Sequence, residues 1–209
     1  LMKTLSIIIP SYNEGKTILN VLNKIKAAKD ERVKYEIIVI NDASTDDTEI
    51  ILEQNKNLYD HLVTHKKNKG KGGAIKTGIE ISTGDYLIFQ DADLEYDPTD
   101  MIKFINIFLE FNADIIIGSR FCYDQYTKSH SFYNKIGNKV ITMIFNMFYN
   151  TTFTDIYSCY VCFKRNLIKS SELKTSGFEQ QAEILAKIVS RSIDYYEVPI
   201  NYNGRSILE

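Results

Sequence analysis

Short runs of β-branched and aromatic residues recur along the first 120 residues, and stretches with helical periodicity separate them. Residues 5–9 form one such run, which Pro10 is expected to end, and residues 36–40 form the next. Residues 61–64, 86–89 and 113–117 follow the same pattern. Between the runs, Ile18, Leu19, Leu22 and Ile25 fall on one helical face, Asp46 and Asp47 open a helix, and residues 72–82 read as a helix entered through glycines. Asp97-Pro98-Thr99-Asp100 is a helix start, with Asp as N-cap and Pro at the first helical position, and Ile102, Ile105 and Leu109 continue that helix. A chain that alternates strand and helix this way closes its core by laying a mostly parallel sheet between helices on both faces. Apolar runs without polar alternation mark strands buried on both sides.

The rhythm changes after about residue 121. Residues 132–149 form a long, unusually apolar helix containing Ile141, Met143, Ile144, Phe145, Met147 and Phe148. A buried core helix is the first expectation, and a helix lying in a membrane interface is the alternative. A further helix over 178–190 and a strand over 194–198 complete the chain. A formal net charge of −2 argues against a nucleic-acid partner, which calls for a basic excess. An odd count of 3 cysteines does not read as a disulfide framework, and Cys159 and Cys162, at C-x-x-C spacing, lack the second Cys or His pair that would complete a zinc site. Those two are expected to be small buried residues on a strand, in a reducing compartment. Neither a secretory leader nor a bilayer-spanning run of about 18 apolar residues is expected from this sequence, in which Leu1 precedes Met2. The chain is expected to be one domain that stops short of C-terminal membrane helices.

Polar segments follow four of the strands: Pro10-Ser11-Tyr12-Asn13-Glu14, Asn41-Asp42-Ala43-Ser44-Thr45, Asp91-Ala92-Asp93-Leu94-Glu95 and Gly118-Ser119-Arg120. Any one of them alone is an ordinary turn. Parallel strands bring their carboxyl ends together, so all four line one crevice, where ligands of such sheets bind. In extended backbone the Asp91 and Asp93 carboxylates point to one side and repel unless a cation holds them. Oxygen ligands imply Mg²⁺ or Mn²⁺, with Glu95 as a third oxygen if the backbone stays extended. Open positions on such a metal suit a diphosphate. Asn68-Lys69-Gly70-Lys71-Gly72-Gly73 supports this, with glycines for close approach, lysines for charge and a helix N-terminus for anions. For Lys69 and Lys71 individually, a basic solvent-facing turn remains the alternative.

These segments, in this order, together with Tyr96-Asp97-Pro98, Thr154-Asp155-Ile156, Cys159-Tyr160 and Gly177-Phe178-Glu179, resemble family 2 glycosyltransferases. The nearest branch is that of dolichyl-phosphate mannose synthase-like and polyprenyl-phosphate glycosyltransferase-like enzymes. The resemblance covers nearly the whole chain. It implies a GT-A fold, a Rossmann-like nucleotide-binding sandwich, with residues 1–120 holding the nucleotide-sugar and residues 121–209 the acceptor. By the same resemblance Pro10, Tyr12, Glu14 and Asp42 contact the nucleoside, Lys71 and Asp91 bind the nucleotide, and Asp91, Asp93 and Glu95 hold the metal. Arg120, with Lys135, Asn138 and Arg205, meets the acceptor, and Asp155, Arg120 and Asp93 form the catalytic set. Asn41-Asp42 stands where many relatives have paired acids, so the first of those carboxylates is missing here.

The resemblance implies inversion by one in-line displacement, with a polyprenyl (undecaprenyl or dolichyl) phosphate as acceptor, at the cytoplasmic face of a membrane. Such an acceptor is already anionic and needs positive charge and aim more than a base. Asp155 is then an orienter, although a base, a sugar-hydroxyl ligand and a simple turn residue stay open. A soluble enzyme of the same family, acting on a sugar or other hydroxyl in cell-envelope polysaccharide synthesis, is the alternative. A nucleotidyltransferase lacks support, because the glycine-rich loop expected near its N-terminus is absent.

Overall fold

The apolar runs become strands that overrun their hydrophobic centres. β1 spans Lys3–Ser11 and β2 Val33–Asn41. β3 (His61–Thr64), β4 (Tyr86–Phe89), β5 (Ile115–Ser119), β6 (Val161–Lys164) and β7 (Tyr195–Pro199) complete a 7-stranded sheet of order β3-β2-β1-β4-β6-β5-β7. The computed structural model describes residues 2–122, 132–177 and 179–204. All pairings are parallel except those of β6, which runs against both β4 and β5. Pro10 does not end β1. β4 pairs with β1 only over Leu5–Ile8, so the missing N–H of Pro10 falls where β1 has a neighbour on one side, the position a sheet tolerates.

Side chains alternate across β1 into two cores. Ile7 and Ile9 enter one with Leu22, Leu52 and Phe104, while Ile8 enters the other with Ile75, Leu87, Phe145 and Ile184. Helices α1 (Ile18–Ala27), α2 (Thr48–Gln54) and α4 (Met101–Phe111) cover the first face. Helices α3 (Gly70–Ile81), α5 (Phe132–Tyr149) and α6 (Gln180–Val189) cover the second. The three-layer α/β sandwich is the one the alternating pattern requires. Three apolar positions assigned to helix faces are surface residues instead: Leu19, Ile102 and Leu109. Val21, Phe104 and Phe108 take the buried places, because the apolar stripe of each helix is set by neighbours one position away. Asp97 does start a helical segment, its carboxylate accepting the Thr99 N–H at 3.0 Å ahead of α4.

α5 departs most from the core helix expected of it. Its inward face carries Thr142, Phe145 and Asn146, while Ile136, Val140, Met143, Ile144, Met147 and Phe148 are exposed. The more apolar face points outward. Phe148 is 82% exposed, which no core helix tolerates. Among the described residues, no helix is long and apolar enough to cross a membrane. Cys162 is buried in β6 as expected, but Cys159 lies before that strand and reaches the site described below.

The strand order reverses between β1 and β4, since β2 and β3 extend to one side of β1 and β4 begins the other. A doubly wound sheet opens a crevice at that reversal, beyond the carboxyl ends of its strands. The segments after β1, β2 and β4 therefore meet there. Because β6 is antiparallel, the residues before it, including Asp155 and Cys159, arrive at the same edge.

Candidate active site

A cleft of about 420 Å³ sits at this reversal, lined by Pro10, Ser11, Tyr12, Glu14, Asp42, Asn68, Gly70, Lys71, Ala74, Asp91, Ala92 and Asp93. Every residue expected to touch the nucleotide is among them. The loops after β1 and β2 are laced together. Asn13 Oδ1 accepts the Thr45 N–H at 2.7 Å, and Asp46 Oδ2 accepts the Gly15 N–H at 3.0 Å. Asn13 and Ala43, in these loops, and Leu94, after β4, have φ of 56°, 59° and 65°. Left-handed backbone at a non-glycine residue is strained, and such strain concentrates where a loop is held for a ligand. Tyr12 leaves its ring exposed at the cleft.

Asp42 forms the wall behind β2 and is almost wholly buried. Its Oδ1 lies 2.6 Å from His65 Nδ1 and accepts the Lys69 N–H at 2.9 Å. His65 Nε2 reaches Thr77 Oγ1 on α3 at 2.9 Å. Asp42 Oδ2 and Ser11 Oγ are buried without a hydrogen-bond partner. His65 and Thr77 carry no motif, and only the fold brings them to Asp42.

Asp91 and Asp93 both face the cleft, but by a different route from the one expected. The backbone after β4 turns rather than staying extended, and the Asp93 carboxylate accepts the Glu95 N–H at 3.0 Å. Leu94 in the left-handed region turns Glu95 away, and Glu95 accepts the Tyr202 hydroxyl at 2.8 Å. Glu95 therefore does not line the cleft as a third ligand, because the extended backbone that would aim it there is broken. Among the described residues no three His, Cys, Asp or Glu side chains cluster closely enough to hold an ion. Two carboxylates on the cleft wall still suit a divalent cation that takes its remaining oxygens from a diphosphate and water.

Lys71 reaches into this end of the cleft, its Nζ 2.5 Å from Asp91 Oδ1 and 3.4 Å from Cys159 Sγ. Burial disfavours its charge, but Asp91 and then Cys159 outweigh that and hold Lys71 above its ordinary value. Burial, with Asp91 beside it, pushes the Cys159 thiol up to about 11, so it stays neutral. The glycines around Lys71 serve the protein rather than bare amides for an anion. The Gly72 N–H donates to Ser176 O at 2.9 Å, and a Cβ on Gly72 would collide with the Ser176 backbone. Gly70, at φ +77°, donates its N–H to Asn68 Oδ1 at 2.9 Å. The helix start is thus largely satisfied from within, and Lys71 carries the positive charge of the segment.

Arg120 follows β5 and meets Asp155 side-on. Its Nε donates to Oδ2 at 2.7 Å, its Nη2 to Oδ1 at 2.9 Å and its backbone N–H to Oδ2 at 3.1 Å. Asp155 is 0% exposed and spends both oxygens on this one partner. Burial opposes the charge on Arg120, but the Asp155 bonds override it and keep the guanidinium firmly cationic. The guanidinium carbon stands 5.2 Å from the Tyr202 ring centroid and 5.7 Å from that of Phe121. Lys135 Nζ lies 5.9 Å from the same Phe121 ring, and Asn138 is half-buried one turn further along α5. Arg205 lies outside the described residues. Tyr96 joins the two halves, its hydroxyl accepting the Cys159 N–H at 3.3 Å and its ring 5.1 Å from that of Tyr202.

The description of glycosyl transferase family 2 fits residues 6–170. The low-salt glycan biosynthesis hexosyltransferase Agl6 of Haloferax volcanii is 29% identical over 203 residues, 97% of this chain and 48% of that protein. The dolichol-phosphate mannosyltransferase of Pyrococcus furiosus is 28% identical over 204 residues, 96% of this chain and 57% of that protein. The chain thus spans about half the length of these curated relatives. Among solved structures, Mycobacterium tuberculosis glucosyl-3-phosphoglycerate synthase in complex with Mn²⁺, UDP and glucosyl-3-phosphoglycerate superposes with a TM-score of 0.71 at 19% identity, over 98% of this chain and 74% of that one. S. aureus TarS in complex with UDP superposes at 0.68 and 18% identity, over 97% and 61%. Those two likenesses establish the GT-A architecture. With the motifs in order at the strand ends and the family match running through most of the sequence, the chain belongs to glycosyl transferase family 2.

Proposed function

We propose that this chain is the catalytic domain of an inverting, metal-dependent glycosyltransferase. It moves a hexose from a UDP- or GDP-linked donor to a polyprenyl phosphate. Residues 1–120 serve the donor and residues 121–209 the acceptor. Pro10, Tyr12, Glu14 and Asp42 hold the nucleoside, and Lys71 and Asp91 the diphosphate. Asp91 and Asp93 would hold Mg²⁺ or Mn²⁺, which when bound offsets the charge that grows on a diphosphate leaving group. The relatives named for hexosyl and dolichol-phosphate mannosyl transfer, and a neighbour solved with Mn²⁺ and UDP, support this reading.

The single observation that carries the acceptor class is the Asp155 clamp on Arg120. A hydroxyl acceptor needs a free base, and Asp155 is buried with both oxygens committed. A phosphate acceptor needs a fixed cation instead, and Arg120 is one, oriented by three bonds and walled by aromatic rings. Arg120 keeps N–H groups that Asp155 does not use. The exposed apolar face of α5, with Lys135 and Lys139 exposed at its N-terminal part, fits a domain that works against the cytoplasmic face of a membrane, where such an acceptor resides.

The test is transfer of radiolabelled hexose from UDP- and GDP-sugars, with Mn²⁺, to polyprenyl phosphate against free sugar acceptors. Lipid-soluble label that appears only with polyprenyl phosphate is the expected result. Label on sugar hydroxyls alone would show that the acceptor reading is wrong and the family's hydroxyl-directed chemistry right.

A further inference from the structure

The buried trio of Asp42, His65 and Thr77 lies outside the motifs, and its hydrogen bonds count out what the cleft offers a nucleobase. Asp42 Oδ1 has two lone pairs, and both are used, one facing His65 Nδ1 at 2.6 Å and one accepting the Lys69 N–H at 2.9 Å. His65 is itself held by Thr77, on α3, at 2.9 Å, so it cannot swing away without breaking that bond. One carboxylate oxygen, Oδ2, remains, buried and without a partner on a residue that lines the cleft. Beside it, the Asp42 N–H donates to Ser11 O at 2.8 Å, and the Ser11 hydroxyl is a second buried, unpartnered polar atom on the same wall. A buried unpartnered carboxylate oxygen is costly, and a ligand N–H removes that cost.

We infer that His65 sets base selectivity by pinning one oxygen of Asp42, so that the cleft accepts uracil, with one ring N–H between two carbonyls, and discriminates against guanine. The uracil N3–H meets Asp42 Oδ2, and the Ser11 hydroxyl donates to a flanking carbonyl. Guanine presents N1–H and N2–H₂ side by side and needs both carboxylate oxygens. With Oδ1 spent, one guanine donor stays unpaired in a desolvated site, a mismatch that buried polar sites reject strongly. His65 touches no ligand in this scheme and is a positioning residue. The inference rests on the nucleotide diphosphate-sugar reading and narrows its donor to the uridine class.

The pinning makes a directional prediction for Asp42→Asn. The Lys69 N–H is a fixed donor to the Oδ1 place, which His65 Nδ1 also faces, so the asparagine carbonyl oxygen takes that place and its NH₂ takes that of Oδ2. A donor then faces the base. It opposes the uracil N3–H and matches the N3 acceptor of cytosine.

Calorimetric titration of the intact chain with UDP, GDP, CDP and ADP, in Mn²⁺, tests all of this, with circular dichroism to verify folding. The wild type should bind UDP at least roughly tenfold more tightly than GDP. Asp42→Asn should reverse the order of UDP and CDP. His65→Ala should free Oδ1 and shrink the UDP-over-GDP ratio by roughly tenfold, and His65→Asn, whose amide restores a donor near the place of Nδ1, should recover it. Tighter binding of GDP or ADP than of UDP by the wild type overturns the inference while leaving the glycosyltransferase reading standing. Equal loss of all nucleotides in His65→Ala, with the ratio unchanged, removes His65 from selectivity. If none of the four binds the wild type, the nucleotide-sugar reading itself fails.

Discussion

Asp155 is the residue whose reading the fold narrows most. From the sequence alone Thr154-Asp155 permits a base, an orienter, a sugar-hydroxyl ligand or a turn. Burial at 0% exposure and a side-on pair with Arg120 support the orienting role proposed above. Asp155→Asn keeps the shape and removes the charge, so the guanidinium is left buried against a neutral amide. Unfolding free energy should fall by about 3 kcal/mol in denaturant titration, since breaking one partner of a buried pair is strongly destabilising. Among molecules that remain folded, the KM for acceptor should rise more than the KM for donor, whereas loss of a base would lower kcat with acceptor KM unchanged. Asp93→Asn is a different case. The residue is half-buried on a surface turn, and the amide oxygen still accepts the Glu95 N–H. The expected outcome is loss of metal-stimulated transfer with a melting temperature within a few degrees of wild type. Activity that survives both this change and a chelator would take the metal away from this position.

At the level of single elements, α3 and α5 show where patterns in sequence inform and where they mislead. α3 was legible from its glycines, but not the reason for them. Gly78 faces Ile8 of β1 so closely that any Cβ would collide with that side chain, which lets the helix sit directly on the sheet. Gly78→Val should cost about 1–3 kcal/mol by overpacking, read as a lower midpoint in urea with an unchanged slope. α5 was located to the residue, yet apolar content alone does not say which way a helix faces. Its inward face is filled by Thr142, Asn146 and Phe145, with Asn146 donating to Phe153 O at 2.8 Å and accepting the Thr151 hydroxyl at 2.8 Å. The polar residues do the docking, so the apolar ones are left outside. Replacing Met147 and Phe148 together by Glu should reduce co-sedimentation with anionic vesicles severalfold while leaving the melting temperature nearly unchanged. Unaltered sedimentation would separate this face from lipid.

For the molecule as a whole, the sheet and the crevice were readable because parallel strands with polar ends admit few arrangements. What could not be read were contacts between distant segments, such as His65 with Asp42 or Glu95 with Tyr202, which depend on loop geometry and not on any spacing. One such contact governs behaviour in acid. The Glu183 carboxylate, on α6, accepts the Thr175 hydroxyl at 2.6 Å and the Lys174 N–H at 2.9 Å. Burial raises its pKa, but these bonds and Lys187 outweigh that and bring it down to about 2, from an ordinary 4.5. A depressed carboxylate contributes its full stabilisation above 4.5 and loses it as pH falls from there toward 2. The loop it ties down carries Ser176, which seats the start of α3 beside the cleft. Wild type and Glu183→Gln should therefore differ in thermal stability at pH 7 and converge as the pH approaches 2.5. A difference that persists undiminished there would show that the charge on Glu183 is not what anchors the loop. A last consequence comes from the bridge between Tyr96 and Tyr202 and the bond from the Asn203 N–H to Glu95 O at 2.8 Å. These contacts tie the turn that bears the acidic pair to residues 202 and 203. A ligand that orders the turn therefore favours this placement of residues 202 and 203, and by linkage that placement favours the ligand.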